Sequence, residues 1–163
     1  MYKRGSNANI GAYLLLLTAG TISTPVFAGD KDKFGGREGV EVDIREWNLT
    51  LSKSKVRSGH VGFAVKNRGD ETHELAIIKL NNNMITATGR LPVNQHGSID
   101  EDKMDFGQIV GELENIESGK KVKQLFKLEP GKYAVICNML EKEPDGSMEA
   151  HYSMGMHALL EVE

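Results

Sequence analysis

The chain has 163 residues, 39% hydrophobic and 26% charged, with a formal charge of −3. That length suits one compact domain, and a small acidic balance without any long Lys/Arg run excludes a nucleic-acid binder. The 18 glycines against 6% aromatic residues favour turns and short strands over a helical bundle.

Residues 1–28 read as a secretory signal peptide. Lys3 and Arg4 form a basic head, "IGAYLLLLTAG" is the apolar run, and "VFA" before Gly29 puts small residues where a signal peptidase cuts. The apolar run is shorter than the roughly 20 residues of a spanning helix, so cleavage is favoured over an uncleaved anchor. Removal of Lys3 and Arg4 leaves 18 basic against 23 acidic residues, near −5. The expectation is a soluble, exported (periplasmic) protein with no membrane span after cleavage. Residues 29–39, "GDKDKFGGREG", read as a flexible leader, and residues 40–163 as the folded domain.

Period-two alternation then begins. Val40, Val42 and Ile44 share one parity and Trp47, Leu49 and Leu51 the other, as one bulge residue near Arg45–Glu46 would produce. "HVGFAVKN" alternates through Val61, Phe63 and Val65; "NRGDE" reads as a turn; "HELAIIKL" is a fuller apolar run, suited to a strand buried on both faces. Residues 81–108 form a polar insertion with a short helix expected around Asp100–Phe106. Strand signals resume at "IVGELENI", "KVKQLFKL" and "YAVIC", separated by the turn sequences "ESGK" and "EPGK", and "HALLEVE" ends the chain. About seven short strands with frequent turns predict an all-β, antiparallel Greek-key β-sandwich carrying that one long polar insertion.

Cys137 is the single cysteine. In an oxidising compartment it has no internal partner, which leaves burial, an intermolecular disulfide or a metal. His73 opens a strand, Cys137 ends one, and His151 and Met156 lie in the final loop. Antiparallel order brings strand starts and strand ends to one pole, where two imidazoles, a thiolate and a thioether would converge. Taken singly, His73 reads as a hydrogen-bonded strand histidine, Cys137 as core and Met156 as packing. Together they match a trigonal His2Cys site with a long axial Met, the type 1 copper arrangement. Structural zinc takes four strong ligands, and a dinuclear copper centre would need a second cysteine. His60, His96 and His157 have no matching partners and read as surface residues. Met84, Met104, Met139, Met148 and Met154 exceed what a core needs, without Met-x-x-Met clustering. A Cys137–His nucleophile pair lacks an oxyanion arrangement and leaves the Met unexplained, and no phosphate loop or paired carboxylates appear, so no enzyme is expected.

"NRGDETHELAI", with "EPGKYAVIC" and "HYSMGMHALLEV", resembles the cupredoxin family, the group holding plastocyanin, azurin and sulfocyanin. The resemblance runs from Val40 to Glu163 and is most specific at His-Tyr-Ser-Met-Gly-Met, a plastocyanin-type pattern with methionine five positions after the histidine. It implies the Greek-key sandwich, one type 1 copper held by His73, Cys137, His151 and Met156, and electron transfer between redox partner proteins by a monomer. Copper buffering or delivery is the alternative role, since both use the same ligands. Met156, following Gly155, is the expected axial ligand, and Met154 is expected in a loop contact. Two departures from the family stand out. Thirteen residues, Asn138–Ala150, with net charge −3 and a Pro144–Asp145–Gly146 turn, separate Cys137 from His151. They are expected to project from the copper pole. Glu74 stands where the family often has an asparagine tying the ligand loops together.

Overall fold

The computed structural model describes residues 34–81, 91–101 and 107–163. The expected signal peptide lies outside these residues, and so does nearly all of the helix expected around Asp100–Phe106. The strands are β1 (Gly39–Arg45), β2 (Asn48–Leu51), β3 (Lys55–Val56), β4 (Gly59–Asn67), β5 (His73–Leu80) and β6 (Gly107–Ile116). They continue with β7 (Lys121–Leu128), β8 (Gly131–Ile136), β9 (Leu140–Lys142) and β10 (Met148–Ala150). One helical turn, α1 (His151–Met154), precedes β11 (His157–Val162).

Two sheets form the sandwich, one ordered β2-β1-β4-β7 and the other β3-β11-β8-β5-β6. The sheets are mixed rather than wholly antiparallel: β1 runs parallel to β4 and β3 parallel to β11. Both parallel pairs join strands that are not consecutive in the chain. The parity switch near Arg45 is also not a bulge. Arg45 pairs with Asn48, so Glu46 and Trp47 form a two-residue hairpin turn between β1 and β2. The end of the expected leader is anchored, because Glu38 pairs with Lys53 at 3.2 Å and Arg57 at 3.0 Å.

The inward parity supplies the core between the sheets: Val40, Val42 and Ile44 from β1, Val61, Phe63 and Val65 from β4, and Leu75, Ile77, Tyr133 and Val135 opposite. β5 is buried on its other face too. Ala76 and Ile78, with Ala134 and Ile136 of β8, pack against Leu91, Ile99 and Tyr152. The described part of the 81–108 insertion therefore covers the outer face of the second sheet, which explains the unbroken apolar run of "HELAIIKL". β7 is the exposed edge of its sheet, lysine-rich, with Leu125 facing out. Such charge discourages edge-to-edge association. The β6–β7 turn closes with the Lys120 N–H donating to the Glu117 carbonyl, and Gly119 supplies the positive φ of 73° that the turn requires.

Candidate metal centre

Strand pairing builds the site. β5 and β8 run antiparallel with Ala76 opposite Ile136, so the start of β5 at His73 lies beside the residue after β8, Cys137. β11 flanks β8 on the other side with His157 opposite Ile136, and the Cys137 N–H donates to the Met156 carbonyl at 3.0 Å. α1 is fixed at its first residue: the His151 N–H donates to the Met139 carbonyl, and the Met156 N–H returns to the His151 carbonyl. Gly155 permits this reversal with φ 126°, and a Cβ there would stand 3.1 Å from the Trp47 carbonyl oxygen.

His73, Cys137, His151 and Met156 are all 0% exposed. Three donor atoms converge. His73 Nδ1 lies 3.2 Å from His151 Nδ1, and Cys137 Sγ lies 3.4 Å from His151 Nδ1 and 3.9 Å from His73 Nδ1. Donors bonded to one ion at about 2.0–2.3 Å stand roughly 3.5–3.8 Å apart in a trigonal plane, so this triangle fits a single small ion. Met156 is buried in the core cluster that includes Cys137, whereas Met154 is 46% exposed.

The electrostatics prepare the donors. His73 Nε2 lies 3.1 Å from Glu46 Oε1. A carboxylate there accepts the Nε2 proton and leaves the Nδ1 lone pair facing the other donors. Burial lowers the His73 pKa, with Glu46 opposing it, and burial together with neighbouring His73 lowers His151 to about 4. Burial pushes the Cys137 thiol up to about 11, against N–H groups of Glu74 and Met139 that favour its anion. Burial would raise Glu46 as well, but N–H donors from Glu71 and its own backbone, with His73, outweigh that and hold it low.

Glu74 does bridge the two ligand segments. Its N–H points at Cys137 Sγ at 3.4 Å, and its Oε1 accepts the Asn138 N–H at 2.9 Å. Asn138 in turn exchanges hydrogen bonds with both main-chain groups of Ile99. The role expected of an asparagine is thus filled by a longer acidic side chain.

The segment Asn138–Ala150 is a folded hairpin, β9 against β10, rather than a loose loop. It brings Glu141 close to His151, and Glu71 Oε2 lies 3.9 Å from His151 Nε2. His151 is covered: Trp47 packs edge-on at 5.0 Å, and His151 has no exposure. His151 Nε2 and Glu71 Oε2 are both buried without a hydrogen-bond partner. Burial raises the Glu71 pKa, and Glu149, Glu141, Glu46 and Glu143 raise it further. Of the unassigned histidines, His60 and His96 are exposed, but His157 is half-buried against the Tyr152 ring, 5.1 Å away. Met84 and Met104 lie outside the described residues.

Glu46, Trp47, Glu71 and Glu141 carried no sequence signal as site residues. All lie in hairpins or loops whose approach to the pole depends on the closed fold.

No family model and no curated protein matches the sequence. Solved structures do match by shape. Reduced rusticyanin aligns at TM-score 0.51 with 15% identity, covering 77% of this chain and 78% of that one. An auracyanin from Roseiflexus castenholzii aligns at 0.47 with 19% identity, covering 77% and 96%. Among the described residues no helix is long and apolar enough to cross a membrane. The strand order and the rusticyanin alignment together establish that the chain has the cupredoxin fold.

Proposed function

We propose that the protein is an exported mononuclear type 1 copper protein that carries electrons between larger redox partners. The observation that carries this reading is the triangle of His73 Nδ1, Cys137 Sγ and His151 Nδ1, with edges of 3.2–3.9 Å. Two imidazoles and one thiolate, with a thioether near at hand, are the donors of a blue-copper site. Met156 is the proposed axial ligand, since it is buried at the pole while Met154 faces solvent.

Copper bound here supplies a one-electron couple. The protein's part is to hold three donors in fixed positions, through strand pairing, the Glu46–His73 contact and the Glu74–Asn138 link, so that little rearrangement accompanies a change of charge. Complete burial of the donors excludes water and favours a carrier over buffering or delivery, where a ligand must open to hand the ion on. The acyl or phosphoryl machinery of an enzyme is not part of this reading. Export rests on the basic head, apolar run and "VFA" site of residues 1–28.

The test is reconstitution of the apoprotein with Cu(II). Strong absorption near ~600 nm or in the nearby blue region is expected, with one copper retained through reversible voltammetry. Cys137→Ser should lose the colour. A colourless wild-type protein with full copper content would overturn the site, and copper lost to an acceptor on reduction would replace the carrier by a delivery protein.

A further inference from the structure

The far side of His151 is unexplained by the copper reading. Nδ1 faces Cys137 and His73, while Nε2 points the other way, is buried, and has no hydrogen-bond partner. Glu71 Oε2 lies 3.9 Å away, itself buried and unpartnered. That separation is too long for a hydrogen bond. Each of these two buried atoms loses hydration without a compensating hydrogen bond. Glu141, carried in by β9, completes the group: one donor atom from each of Glu71, Glu141 and His151 lies within 4.8 Å of the others. No described lysine or arginine pairs with Glu71 or Glu141.

We propose that Glu71, Glu141 and His151 Nε2 form a second, divalent cation site, with Zn2+ as its ion. One imidazole nitrogen and two carboxylate oxygens suit zinc and leave a fourth position for water. An imidazole donor disfavours Ca2+ and Mg2+, which take oxygen ligands. Two carboxylates neutralise the ion's charge, and closing the 3.9 Å Glu71–His151 separation by about 0.6 Å brings that pair to the roughly 3.3 Å that tetrahedral zinc donors keep. The site is outside the copper triangle and shares one residue with it. Nε2 would be the zinc donor in either state of the first site: with Nδ1 free the ring proton would sit there, and with a metal on Nδ1 the Nε2 proton would pass to solvent. The inference therefore stands whether or not the first site holds copper.

The experiment titrates ZnCl2 into the metal-free and the Cu(I)-loaded full chain, with both metals counted by elemental analysis after dialysis. Wild type should retain one more zinc than Glu71→Gln/Glu141→Gln, whose zinc dissociation constant should be at least about tenfold larger. Both proteins keep His73 and Cys137, so zinc lodged in the first site cancels from the difference. On wild type, the 15N resonance of His151 Nε2 should move on zinc addition, a readout independent of how the variant folds. Equal zinc in wild type and variant, or a stationary Nε2 resonance, would overturn the site and leave a bridging water in its place. Failure to load copper, with the zinc difference intact, would sink the copper reading alone.

Discussion

Cys137 keeps a proton that any metal must displace. With the thiol pushed up to about 11 by burial and His151 brought down to about 4, the ordinary pH range finds the thiol protonated and that imidazole neutral. Metal uptake therefore releases one proton from sulfur. Lowering pH opposes uptake, and the apparent copper affinity should rise about tenfold per pH unit between pH 5 and 8. Competition titrations with a chelator of known pH dependence measure this; a flat profile would mean that sulfur is not a ligand. Glu46 acts one atom further out. Glu46→Ala frees His73 to put its proton on either nitrogen, and copper affinity should fall roughly 10–100-fold while the fold, read by circular dichroism, is unchanged. At the axial position, Met156→Leu should keep the colour and raise the reduction potential, whereas Met154→Leu at an exposed position should do neither. A potential that moves with Met154 and not with Met156 reverses the assignment.

β5 shows how much of the fold the sequence made legible. Its apolar run predicts burial on both faces, and Ile77 and Ile78 are each 0% exposed although they face opposite sides. Ile77→Ala and Ile78→Ala should each cost about 2–5 kcal/mol in urea unfolding of the apoprotein. Leu125→Ala, on the open face of β7, should stay within about 0.5 kcal/mol. Equal losses at all three positions would contradict the layer arrangement. Other elements were less legible for definable reasons. A switch of hydrophobic parity is the same whether the chain bulges or folds back in a two-residue turn, so the β1–β2 hairpin was not distinguishable from a kink in one strand. β9 and β10 are three residues each and charged, too short for alternation to register. The convergence of His73, Cys137 and His151 was readable because antiparallel neighbours must place one strand's start beside the other's end. The cover over His151 was not, since Glu46, Trp47, Glu71 and Glu141 reach it from turns and a hairpin whose packing only the closed sandwich decides.

At the scale of the whole molecule, the two sheets meet their functional pole through contacts distant in sequence: Glu46 with His73, His73 with His151, Glu74 with Asn138. Of these, Glu46–His73 joins the first sheet to the second, and the other two tie together segments of the second sheet and the turn before β11. Ligation should therefore stabilise only the folded chain, and copper-loaded protein should melt at a temperature that climbs with free copper well above the dissociation constant. An unchanged melting temperature at saturating copper would argue against a site that exists only in the folded chain. The complete burial of the donors also sets a clock. An ion in solution meets no ligand until some of the packing around the donors opens, Trp47 against His151 included, so loading is a gated event rather than a collision. Under excess copper the loading rate should level off at the frequency of that opening, and a chelator should strip the ion no faster, which would keep the protein charged with its metal through many encounters with competitors.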